Sequence, residues 1–254
     1  MKNNPLYKLI QLIKDNPAFS IDHPKVKYQL HKRITKRHLN EYLDRVVHDL
    51  FWPREIAKNS YKHELGFDKL VLFSRPTGNI TRVKLHIWWP GKPFADIDIH
   101  DHRYDFRSKV LLGELRHELF IIRDDVKKKR KANEYELYEY QYNSKTNSAE
   151  QHYKHTVQLK KARCKRCPEG RTYKMACDKI HCVLPGEDVS ITLLLQGKSQ
   201  KEKAIVLRPP DCENKHEGCY SQDLFNFNEV DGLFRKIIER TQDRTNNNEM
   251  LAVH

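Results

Sequence analysis

Two histidines separated by a single residue, in Ile99-His100-Asp101-His102, are the residues of this sequence best placed to do chemistry. In an extended strand, residues two apart face the same way, so both imidazoles can converge on one ion. A lone third histidine, His181, lies in a second apolar segment, Arg-Thr-Tyr-Lys-Met-Ala-Cys-Asp-Lys-Ile-His-Cys-Val. The same residues read as an inert or purely structural cluster would be held by hydrogen bonds alone, and His86 or His117 could stand in as a ligand.

Cysteines offer a second chemistry. All six fall between Cys164 and Cys219, which is not the spread of a disulfide framework. Cys164 and Cys167 form a CxxC half-knuckle, and Cys212 with Cys219 could complete a tetrathiolate zinc site, with His216 as a possible substitute. Unlinked reduced thiols are the plainer reading. A set built on Cys177 and Cys182 is less attractive, because five residues along a strand put them on opposite faces.

The chain is basic, with a formal net charge of +13 over 254 residues. Over half of that excess sits between positions 124 and 174, where fourteen Lys or Arg meet seven Asp or Glu. Its densest part is Lys127, Lys128, Lys129, Arg130 and Lys131, followed by a tyrosine-rich segment. A basic, tyrosine-interleaved surface of this kind can track phosphates and stack on unpaired bases, so a nucleic acid or other polyanion is a possible partner; a solvated loop is the plainer alternative.

The elements that must position these groups change character along the chain. Leu6, Leu9, Ile10 and Ile13, then Leu39, Tyr42, Leu43, Val46, Val47 and Leu50, recur at helical spacing. From about residue 69 the pattern becomes short runs rich in Val, Ile, Phe, Trp and Tyr. Strands are expected at 69–74, 82–89, 96–104, 108–112, 115–123, 134–142, 154–162, 171–183, 189–196 and 203–207, divided by Pro-Gly and Gly turns. Many short strands with no long helix between them make a mainly β sandwich or barrel. Leu224, Phe225, Val230, Leu233, Phe234, Ile237 and Ile238 suggest a closing helix before a polar tail at 241–248. The expected organisation is an N-terminal helical region over 1–66, a barrel over 67–210 with a basic insertion at about 124–170, and a C-terminal helix and tail over 211–254. No stretch approaches the ~18–20 apolar residues of a membrane span, and no apolar run precedes a cleavage site near the start, so a cytoplasmic protein is expected.

The segment from Val83 through Phe120, with Ile-Trp-Trp-Pro-Gly leading into Ile-His-Asp-His and ending Leu-Leu-Gly-Glu-Leu-Arg-His-Glu-Leu-Phe, resembles the first metal motif of the cupin superfamily, within its cysteine-dioxygenase-like (thiol dioxygenase) branch. His181 and the hairpin after it resemble the second motif. The resemblance covers about half of the chain. It implies a double-stranded β-helix barrel with N-terminal helices and a C-terminal helix. It also implies one Fe(II) held by His100, His102 and His181, and a dioxygenase acting on a small-molecule substrate with O2.

Departures from the pattern are specific. Where many cupins carry a glutamate ligand, counted back from Gly113, this chain has Phe106, and it has no cysteine–tyrosine crosslink at the corresponding positions. The branch's Ser-x-His-x-Tyr series is replaced by Thr192-x-Leu194-x-Gln196. The arginine that meets a substrate carboxylate has no aligned counterpart, with Lys69, Arg75 and Arg82 all near the region. Period-two counting puts Asp96, Asp98, His100, His102 and Tyr104 on one face, and Cys177, Lys179, His181 and Val183 on another. Tyr104 on that face, and Gln196 at the place of the branch's tyrosine, are the candidate polar contacts to substrate, and Asp98 is a candidate acceptor for an imidazole N–H. His102 and His181 are 79 residues apart, room enough for the basic insertion.

Overall fold

A computed structural model describes residues 2–49, 51–63, 65–91, 99–123, 133–143, 148–212 and 218–251. Four helices lead the chain: α1 (Pro5–Asp15), α2 (Pro24–Tyr28) with a π-helical turn after it, α3 (Lys36–Val47) and α4 (Trp52–Ala57). Among the described residues fourteen strands come next: β1 (Tyr61–Lys62), β2 (Asp68–Ser74), β3 (Ile80–Trp88), β4 (Ile99–His100), β5 (Tyr104–Leu112), β6 (Glu114–Arg123), β7 (Glu134–Asn143), β8 (Ser148–Pro168), β9 (Thr172–Met175), β10 (Ile180–Pro185), β11 (Ser190–Ser199), β12 (Ala204–Arg208), β13 (Gly218–Ser221) and β14 (Asp223–Leu224). Helix α5 (Phe227–Leu251) closes the fold and runs on through the stretch expected as a polar tail, which contains no proline or glycine to stop it.

All strand pairs are antiparallel and fall into two sheets. The first has the order β14-β1-β2-β3-β11-β5-β9 and the second β13-β8-β6-β10-β4-β12-β7. Successive core strands alternate between them: β3 and β5 lie in the first, β4 and β6 in the second, then β8 in the second, β9 in the first, β10 in the second and β11 in the first. That alternation is a double-stranded β-helix.

Each sheet has two buried faces. On β3, Val83, Leu85 and Ile87 join Leu193 and Leu195 of β11 in one core with Leu6, Leu9 and Ile13 of α1, Leu39 and Leu43 of α3, and Phe234 and Ile237 of α5. The helices thus cover the outer face of the first sheet. Asn4 caps α1 by accepting the backbone N–H groups of Leu6 at 2.9 Å and Tyr7 at 3.2 Å. A second cluster, including Trp88, Phe106, Val110, Leu115 and Leu194, lies between the sheets.

The segment expected as an insertion is woven into the second sheet. β8 pairs with β7 along its first half and with β6 along its second, so β8, β6, β10, β4, β12 and β7 close into a ring. Ile99, Leu137, Val157, Leu159, Cys182 and Leu207 pack together as its own small core. The run Lys127, Lys128, Lys129, Arg130 and Lys131 lies outside the described residues.

Two expected strands break. The segment read as one strand over 96–104 passes from β4 in the second sheet to β5 in the first, with the crossing at Asp101–Arg103; Asp96 and Asp98 lie outside the described residues. The segment 171–183 likewise divides into β9 and β10, one in each sheet, with Cys177 and Lys179 in the turn between them. In both places a strand that changes sheet cannot keep a single face, so period-two counting fails across the break.

Gly113, between β5 and β6, has φ +71°, and a Cβ there would stand 2.5 Å from the Val189 carbonyl oxygen and 2.7 Å from Ser190 Oγ. Gly113→Ala should therefore destabilise the chain by roughly 1–3 kcal/mol, read as a lower urea midpoint with an unchanged slope. An unchanged midpoint would show that this turn does not need glycine.

Candidate metal centre

His100 and His181 sit directly opposite one another in the β4–β10 pairing. His102 comes after the break in β4, its N–H donating to the Cys177 carbonyl at 3.3 Å in the turn before β10. The ring centroids form a near-equilateral triangle: 4.9 Å from His100 to His102, 5.0 Å from His100 to His181 and 5.1 Å from His102 to His181. One ring nitrogen from each lies within 4.8 Å of the others, and this is the one group of three or more potential ligands so placed among the described residues.

The set suits a divalent metal. Burial and the neighbouring imidazoles hold His102 and His181 well below the ordinary histidine pKa, which keeps them in the neutral form that ligates. Nδ1 of His181 lies 3.1 Å from the Lys179 carbonyl oxygen. The tautomer that donates from Nδ1 there leaves the Nε2 lone pair for an ion. Phe106, at the position where many cupins carry glutamate, packs at right angles to His102 with ring centroids 5.0 Å apart. The cluster is therefore all-imidazole.

Asp101, between the two motif histidines, fixes the crossing. Its buried carboxylate accepts from the Ile205 N–H at 2.8 Å through one oxygen and from the Lys201 ammonium through the other. Its own N–H donates to the Ile205 carbonyl at 3.1 Å.

The triangle stands on the wall of a cavity of about 1060 Å³ between the sheets. Tyr104 and Gln196 both line it. Tyr104 reaches it from the first sheet, not by sharing a strand face with His100; its ring stacks on His102 at 5.6 Å. Gln196 keeps a buried Oε1 with no hydrogen-bond partner. Leu194 also lines the cavity, whereas Thr192 is buried with its hydroxyl unpartnered.

Neither alternative ligand joins the triangle. His117 lies behind His181, with centroids 5.7 Å apart. Both of its ring nitrogens lack partners, and burial pushes its pKa down to about 4. His86 lines the first sheet's wall, its Nε2 also unpartnered. Cys177 is outside the group too; its Sγ is 3.7 Å from Gln200 Oε1.

The tetrathiolate expectation is corrected by β8. Cys164 and Cys167 lie three apart in one extended strand, so they face opposite ways: Cys164 is exposed and Cys167 is packed in the core between the sheets. They cannot chelate one ion as a knuckle does. Cys212 is buried after β12, and the Cys219 side chain lies outside the described residues.

Lys84 and Phe67 join the site without having stood out in the sequence, and His86 and Trp88 join it as cavity wall, His86 not as a ligand. The signal that could have found them is the alternation of β3, where Arg82, Lys84, His86 and Trp88 interleave with Val83, Leu85 and Ile87. A lysine in so apolar a strand marks a polar interior.

No family model matches the sequence and no curated protein is similar to it. Among solved structures, a tryptophan-to-tyrosine variant of oxalate decarboxylase from Bacillus subtilis matches 57% of this chain and 29% of its own, at 11% identity and TM-score 0.32. Hydroquinone 1,2-dioxygenase from Sphingomonas, with 4-hydroxybenzoate bound, matches 57% and 71% at 9% identity and TM-score 0.32. The CENP-C cupin domain of Drosophila melanogaster matches 61% and 96% at 9% identity and TM-score 0.31. Likeness this distant decides nothing about chemistry; the order of the strands decides the fold. The chain has the cupin fold. Within it, β3, β11, β5 and β9 form one core sheet of the barrel, β8, β6, β10 and β4 the other, and the three histidines come from β4, the crossing after it and β10. Among the described residues no helix is long and apolar enough to cross a membrane.

If Asp101 holds the crossing in place, Asp101→Ala should weaken binding of Co(II) about tenfold or more, measured by competition with a chromophoric chelator, while Cys164→Ser leaves it unchanged. Equal affinity in Asp101→Ala would show that the crossing is held by other contacts.

Proposed function

We propose that this protein is a metal-dependent enzyme of the non-haem Fe(II) oxygenase type, resembling thiol dioxygenases, with His100, His102 and His181 as its ligands. The observation that carries the reading is the all-imidazole triangle on the wall of a large cavity, with Phe106 where a carboxylate ligand would stand. A divalent iron held there would supply open coordination positions for a substrate atom and for O2.

The chain's own residues supply the rest. Phe106, packed against His102, puts an apolar ring in place of an oxygen ligand on that side of the cluster. The Tyr104 hydroxyl, its pKa raised by burial, stays protonated and can donate a hydrogen bond to a bound group. The free Oε1 of Gln196 can accept one. Leu194, in place of a histidine, makes that part of the wall apolar, so the contacts that orient substrate differ here from those of enzymes acting on cysteine.

Oxygen uptake tests the reading. Anaerobically purified protein reloaded with Fe(II) is mixed with a panel of small thiols and carboxylic acids in an oxygen electrode. Uptake that requires Fe(II) and vanishes in His100→Ala is expected, while Cys164→Ser retains it. Uptake that persists in His100→Ala, or that is absent with the whole panel, would overturn the proposal.

A further inference from the structure

Among the described residues, Lys84 has no partner of opposite charge. It is 2% exposed, on the face of β3 that lines the cavity. Its Nζ lies 3.4 Å from the Tyr104 hydroxyl and 5.3 Å from the centre of that ring. No carboxylate among the described residues pairs with it. The acid on the described cavity wall, Asp101, is engaged by Lys201 and the Ile205 N–H. Burial, with Lys69, Arg82 and Arg103 adding repulsion, holds the Lys84 amine well below the ordinary lysine pKa. A buried cation without a counter-charge is costly, and in a cavity wall the missing charge can arrive with a ligand.

Beside it the same strand face is aromatic. His86 and Trp88 succeed Lys84 at two-residue steps, and Phe67 packs across them, with centroids 5.1 Å from His86 and 5.0 Å from Trp88. All three line the cavity. Its volume of about 1060 Å³ is just above the ~300–1,000 Å³ of pockets that hold drug-sized ligands, far more than a free amino acid would fill. The His86 Nε2 and Gln196 Oε1, both buried and unpartnered, add polar contacts for a ligand of that size.

We propose that the cavity receives an aromatic carboxylate, its acid group on Lys84 and its ring on the wall of Phe67, His86 and Trp88, with the remaining end toward the three histidines. This names the ligand class of the site; turnover of the bound ligand rests on the oxygenase reading, whereas its binding does not.

The test is calorimetric titration of the full-length, metal-free chain with 2-naphthoate, with the uncharged 2-naphthylmethanol and with propionate. Wild type should bind naphthoate about tenfold or more tightly than either of the others. Lys84→Met should bind naphthoate no better than the alcohol, and because it replaces a buried amine that no carboxylate among the described residues pairs with, it should unfold at a temperature no lower than wild type. Lys84→Arg, which keeps the charge, should retain part of the preference and guards against a folding defect in the methionine variant. Equal binding of naphthoate and the alcohol by wild type, or a preference that survives in Lys84→Met, would overturn the anion site. Propionate binding as tightly as naphthoate would overturn the aromatic wall. Co(II) binding by the same preparations reports separately on the metal reading, so either can fail alone.

Discussion

One antiparallel register, His181 opposite His100, is what the site depends on. β4 is only two residues long, yet it is held between β10 on one side and β12 on the other, where Val206 stands opposite His100. The crossing after β4 is pinned through Asp101 to Ile205 of the same β12 and to Lys201 just before it. The turn before His181 in turn ties back: the Cys177 carbonyl accepts from His102 and the Cys177 N–H donates to Asp105 at 2.9 Å. Three histidines from two separate stretches of chain therefore share one set of backbone constraints. Such preorganisation lets a site hold its geometry without an ion to gather it.

A cavity lined by buried imidazoles and lysines in the middle of a barrel needs hydrophobic stabilisation beyond the cluster between its sheets. The first sheet finds it by turning Val83, Leu85, Ile87, Leu193 and Leu195 outward under the helices. The second finds it in the small core closed by β7 and β8, where Ile99 and Cys182, the neighbours of His100 and His181, are buried. Each strand of the site is thus anchored by its odd or even face while the other is left free for imidazoles, lysines and tyrosines. The N-terminal helices and the β7–β8 hairpin supply the partners for the outer faces of the two sheets, leaving the inner faces to the cavity.

How much of this is legible in the sequence depends on whether the information is local. The His-x-His pair, the short β runs and the helical spacing of Leu6, Leu9, Ile10 and Ile13 are local, and each shows in the fold. Tyr104 and Gln196 reach the cavity, but for Tyr104 the reason differs from the one read in the sequence, because the strand break at Asp101 moves it to the opposite sheet. Cys164 and Cys167 mislead because a CxxC has knuckle geometry only in a turn, and the extent of β8 is set by pairing with β6, over forty residues away. Lys84 is hidden for a related reason: whether the second face of β3 meets solvent or a cavity is decided by the other sheet.

The central claim is that His100, His102 and His181 hold one metal ion together. Elemental mass spectrometry of protein purified anaerobically, for wild type and for His181→Ala, tests it most directly. The account requires about one iron per chain in wild type and its loss in the variant. Metal retained in full by His181→Ala would contradict it.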